Sequence, residues 1–141
     1  MNRRNFIRSG CTFCAGAIGA GFIVSTMCSC ASLPIYKGTT EQNKISIPLS
    51  NFKDSKILIV RNNQMEFDIL LVKNSETDVN ALLMKCSHQD NQLTATKNGL
   101  FCSAHGSSFD LQGNVTKEPA MSPLSKFRTE INNQIITVFL K

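Results

Sequence analysis

At 141 residues the chain has room for one ordinary domain and an appendage, and 42% apolar content without tryptophan suits a small core. The net charge of +5 comes with no basic run and no interleaving of aromatics with lysines, so nothing in it points to nucleic acid. Six cysteines first suggest a disulfide framework, but Cys11, Cys14, Cys28 and Cys30 precede the domain, and Cys86 and Cys102 sit beside the only two histidines, which reads as metal binding.

Residues 1–30 read as an export segment. Asn2-Arg3-Arg4-Asn5-Phe6-Ile7-Arg8 resembles a twin-arginine signal, with Arg3 and Arg4 as the pair. A charge-free run rich in Gly and Ala follows over residues 11–27, close to the roughly 20 residues that a spanning helix needs. Met27-Cys28-Ser29-Cys30 loosely resembles a lipobox, with Cys30 as the acylated residue. Three endings stay open: acylation at Cys30, a retained transmembrane anchor, or cleavage near Ala31. Removing residues 1–29 takes three of the 15 basic residues (Arg3, Arg4 and Arg8) and lowers the net charge from +5 to +2, so charge names no partner. The expected location is the outer, periplasmic side of a bacterial cytoplasmic membrane.

Residues 31–44 are polar, with Pro34 and Gly38, and read either as a linker or as a short arm lying against the domain. A flexible linker of this length would span roughly 20 Å. The domain is placed at 45–141. Ile45-Ser46-Ile47-Pro48-Leu49 alternates, and residues 56–61 and 66–73 are apolar, β-branched runs separated by the turn residues Asn62-Asn63-Gln64. Residues 80–85 and Leu100-Phe101 form further strands, and residues 126–131 and 134–140 make a closing hairpin about Asn132-Asn133. No stretch after residue 44 has a helical period, so the fold class is all-β and antiparallel.

The chemistry sits between Cys86 and Asp110. Cys86-Ser87-His88 and Cys102-Ser103-Ala104-His105 give two thiolates and two imidazoles, donors suited to iron or zinc. A Rieske [2Fe–2S] centre takes two cysteines on one iron and two histidines on the other. With the run His105-Gly106-Ser107-Ser108-Phe109-Asp110, and with Gly113-Asn114-Val115, Pro119-Ala120 and Pro123-Leu124 behind it, the chain resembles the Rieske iron–sulfur family. The resemblance implies a [2Fe–2S] cluster on Cys86, His88, Cys102 and His105, a sandwich with two hairpin loops forming the cluster-binding end, and a proline loop covering it. It implies buried iron on the cysteines and histidine edges facing solvent. A zinc-binding module that uses the metal only for folding is the alternative from another class.

Departures from the family refine this expectation. The spacing between ligand loops is shorter than usual, and Ser103 stands where most members have proline. In the quinol-oxidising type, a disulfide clamps the two loops from positions that here hold Asn91 and Ala104. The same type has leucine after the first histidine, where this chain has Gln89 and then Asp90. An oxygenase needs a further two-histidine, carboxylate iron site, and both histidines are already used. The resemblance therefore implies a tethered one-electron carrier, without a substrate site of its own, that exchanges electrons with partner proteins. The other Rieske reading is a subunit of a quinol-oxidising complex or of an exported oxidoreductase. Ser107 is expected to hydrogen-bond a cluster sulfur, whereas Phe109 replaces the tyrosine that gives a second such bond in high-potential members. That places the potential in the middle of the Rieske range of about −150 to +300 mV.

Overall fold

Ile69-Leu70-Leu71-Val72 is an unbroken apolar run, and the computed structural model, which describes residues 32–140, shows both of its faces covered. This run lies in β4 (Ile69–Lys73), between β3 (Ile57–Arg61) and β5 (Val79–Leu83), near the middle of a seven-stranded sheet. The outer members are β1 (Ile35–Lys37) beyond β3, and β10 (Lys126–Asn132), β11 (Ile135–Phe139) and β2 (Lys44–Pro48) beyond β5. Successive side chains of a strand point to opposite faces. Ile69 and Leu71 therefore join Ile45, Ile47, Ile136 and Val138 in one hydrophobic cluster, so the sheet curls until β2 and β11 face β4. Leu70 and Val72 point the other way, into a second cluster with Leu82, Leu100 and Phe109.

The second cluster is roofed by a four-stranded sheet of β6 (Thr94–Thr96), β7 (Gly99–Phe101), β8 (Ser108–Phe109) and β9 (Val115–Lys117). These strands are too short to show a period in sequence, and three of them lie within the ligand-bearing stretch. The closing hairpin pairs Asn132 with Ile135, so its turn residues are Asn133 and Gln134, one step later than Asn132-Asn133; both have positive φ, +50° and +63°. The helical element among the described residues is a single 3-10 turn, Leu49–Phe52.

The structure refines two expectations. Described residues of the 31–44 stretch form an arm and not a loose linker: Ile35–Lys37 pairs with Ile59–Arg61, and Gly38 N–H donates to the Arg61 carbonyl at 3.0 Å. The sheet thus begins before residue 45, and the β1–β3 pair is parallel, while the other paired strands are antiparallel. A strand of three residues with one apolar contact, the half-buried Tyr36, is nearly invisible to pattern reading.

Candidate metal centre

Strand alternation carries the cysteines inward. Leu82, Met84 and Cys86 follow one another at every second position on the same face, and all three join the second cluster. The backbone then folds back, with Cys86 N–H donating to the Asn91 carbonyl at 2.9 Å and Leu93 N–H to that of Met84 at 2.8 Å. Ser87, His88, Gln89 and Asp90 are left exposed at the tip. An ion pair between Lys85 and Asp90, 2.9 Å, braces the loop on its outer side.

The second loop repeats the device. Leu100 and Cys102 share a face, and Cys102 is buried in the same cluster. Gly106 N–H donates to the Cys102 carbonyl at 3.0 Å, and Cys102 N–H to that of Ser107 at 2.9 Å. Closing so tight a loop requires φ of +84° at Gly106, a conformation that favours glycine. His105, directly before it, is exposed.

The two loops meet donor to donor. The His88 and His105 rings lie edge to face, with centroids 5.2 Å apart. Burial pushes the Cys86 thiol up, but hydrogen bonds from the His88 and Gln89 N–H groups and the side chains of Cys102 and Ser107 outweigh it and hold the thiol below its ordinary value. The structure thus brings together a buried sulfur pair and an exposed imidazole pair. Two separate pairs suit a two-iron group with a pair of protein donors on each iron.

Ser107 is wholly buried, and its Oγ accepts the Ala120 N–H at 3.0 Å. Phe109 is also buried, in the same hydrophobic cluster as both cysteines. The residues at 119–123 thereby reach the second loop. They also reach the first, through the Ser87 hydroxyl, which donates to the Ser122 carbonyl. Sequence reading passed over Ser87 and Ser122, since a serine in a loop carries no signal until the structure supplies its partner. It passed over the Asp110 turn as well, where the carboxylate accepts from the N–H groups of Gln112 and Asn114, both at 2.8 Å, and from Asn114 Nδ2 at 3.0 Å. Arg3, Arg4 and Cys30 lie outside the described residues.

The family model for the Rieske [2Fe–2S] domain matches residues 47–128. The chain belongs to the Rieske family. A Rieske domain binds a [2Fe–2S] cluster, and the two donor pairs fit one. Among solved structures, the Rieske chain is similar to the plasma-membrane Rieske protein PetC3 of the cyanobacterium Synechocystis PCC 6803, with TM-score 0.54 and 23% identity over 64% of this chain and 93% of that one. It is similar to a chain in the complex of reduced oxygenase and oxidized ferredoxin of carbazole 1,9a-dioxygenase, with TM-score 0.54 and 18% identity over 72% and 96%. The ferredoxin of carbazole 1,9a-dioxygenase from Nocardioides aromaticivorans IC177 gives TM-score 0.50 and 20% identity over 67% and 94%. These likenesses show the sandwich fold. No curated protein matches the chain.

Proposed function

We propose that this Rieske protein is a one-electron carrier, tethered on the outer face of a bacterial cytoplasmic membrane, whose cluster is held by Cys86 and Cys102 on one iron and by His88 and His105 on the other. When bound, the cluster supplies a one-electron couple. The observation that carries the assignment is the segregation of donors, with the thiols buried against the core and the imidazoles exposed side by side at one end. The imidazole edges offer partner proteins an entry point for electrons. The hydrophobic cluster around Cys86 and Cys102 keeps water from the sulfur side, and the Ser107 hydroxyl donates toward sulfur, which favours the reduced state.

The polar, exposed pair Gln89–Asp90 beside His88 supports protein partners over a quinone site, where an apolar contact would be wanted. The tether rests on the paired Arg3 and Arg4 and the apolar run behind them, with Cys30 as the acylated residue. Among the described residues no helix is long and apolar enough to cross a membrane. Visible absorption and electron paramagnetic resonance of the purified protein test the assignment. The expected result is a coloured [2Fe–2S] centre, lost in His88→Ala or in His105→Ala. Stoichiometric zinc in a colourless protein would refute it.

A further inference from the structure

The end of the domain away from the ligand loops carries a cavity of about 820 Å³. Leu33, Ile35 and Ile57 give it apolar walls, while Lys53, Lys56 and Lys97 line it with positive charge against the single acid Asp54. All three lysines are exposed, and none forms an ion pair among the described residues. Ile35, itself half exposed at 51%, adds apolar surface at the mouth.

Register fixes where this face lies. Ile57 opens β3 opposite Val72, and Val72 stands opposite Asn80, near the start of β5. Lys56 is therefore at the end of the sheet where β5 begins, whereas Cys86 follows its far end, roughly 20 Å away at about 3.3 Å per residue. Thr96 pairs with Gly99, so Lys97 sits in the β6–β7 turn, and Cys102 follows the opposite end of that hairpin. Ser32, the first described residue, lines the same cavity, so the chain arriving from the export segment joins the domain at this face.

We infer that the lysine-lined mouth of this cavity, and not the neighbouring β4–β5 turn that carries Asp78 and the Lys73–Glu76 pair, is a docking surface for an anionic phospholipid bilayer and that it turns the cluster end away from the membrane. The inference rests on the tethered reading above. The tether brings the lysines to the surface, and charge complementarity then fixes the orientation. Each lysine near an anionic surface strengthens contact about fivefold, and Asp54 opposes by a similar factor. The attraction fades beyond about 8 Å in physiological salt, so only this end feels it.

Lysine acylation, read by mass spectrometry, tests the inference on the cluster-loaded full chain in phosphatidylcholine vesicles with and without phosphatidylglycerol. Lys53, Lys56 and Lys97 should react severalfold more slowly on the anionic vesicles, and Lys85 and Lys117 at the ligand end at the same rate on both. Lys56→Gln should weaken the protection of Lys53 and Lys97 about fivefold. Equal rates on the two vesicles in a chain that stays bound would overturn this inference alone, as would protection confined to Lys85 and Lys117. A chain that floats with neither vesicle removes the tethered reading and this inference together.

Discussion

Ser107→Ala separates two things that one buried hydroxyl does. The Ser107 Oγ accepts the Ala120 N–H at 3.0 Å and lies against the Cys86 sulfur. A serine hydroxyl has one proton to give, and with Ala120 occupying an acceptor position that proton is free for sulfur. Removing the hydroxyl leaves a buried backbone N–H unpaired, which costs about 1–3 kcal/mol. It also removes a bond that strengthens as the cluster gains an electron. If that gain is about 1 kcal/mol, a typical net hydrogen bond, the potential falls by about 40 mV, since 59 mV is tenfold for one electron. Protein-film voltammetry and thermal unfolding of the same variant read the two effects apart. Phe109→Tyr is the reciprocal change and should raise the potential by a similar amount. A Ser107→Ala protein that melts earlier at an unchanged potential would refute the redox role and leave Ser107 as a brace for residues 119–123.

Cys86→Ser or Cys102→Ser should lose the visible spectrum and leave residues 84–119 open to protease, because metal binding supplies much of the order of loops that have no disulfide; a colourless but fully protease-resistant variant would count against this. Gly99→Ala, in the strand that leads to Cys102, should destabilise strongly by melting temperature, since the added Cβ would sit 2.3 Å from the Phe109 carbonyl oxygen of β8. Burial raises the Asp110 carboxyl, but hydrogen bonds from Asn114, Gln112 and Gly113 outweigh it and hold the folded value below 3.8. Its stabilisation is therefore complete above the unfolded value and drains away as pH falls through the folded one. The melting-temperature gap between the parent and Asp110→Ala should narrow in acid, and a gap that widens would reverse the sign of the argument. Cys30→Ala should abolish lipid labelling, and Arg3→Lys with Arg4→Lys should stop export of the cluster-loaded form, both read by cell fractionation.

The four donors were legible because spacing places one cysteine and one histidine on each of two loops. Cys-x-His and Cys-x-x-His each fit on one short loop, and a single period-two step from Met84 or Leu100 tells which of those residues turns inward. The long strands β3, β4 and β5 were legible from apolar runs, whose lack of alternation reflects cover on both faces. What escaped was everything set by partners distant in sequence. The parallel pairing of Ile35–Lys37 depends on β3, and the burial of Ser107 depends on Ala120, thirteen positions on. Short strands such as β6 and β8 exist because the ladder beside them exists, and no window of two or three residues records that.

The missing clamp can be argued from the same contacts. Positions that hold a disulfide in the quinol-oxidising type are Asn91 and Ala104 here, and among the described residues Cys86 and Cys102 are free thiols. Each ligand loop is instead tied to a third segment: Ser87 to the Ser122 carbonyl, and Ser107 to the Ala120 N–H. That segment is anchored in turn, since Leu124 is buried and its N–H donates to the Gly113 carbonyl at 2.8 Å. Gly113, at φ +82°, lies so close that an added Cβ would meet Leu82 at 3.1 Å and Leu124 at 3.3 Å. Asp110 holds the turn that presents Gly113, with Gly113 N–H donating to its carbonyl at 3.0 Å. A chain of individually modest hydrogen bonds thus runs from β8 through the 110–114 turn and the 119–124 segment to both loops. A disulfide would join the loops to each other and depend on redox poise. This strut joins them through the core, so the share of loop order that the protein adds to that of the metal does not depend on whether the surroundings are oxidising or reducing.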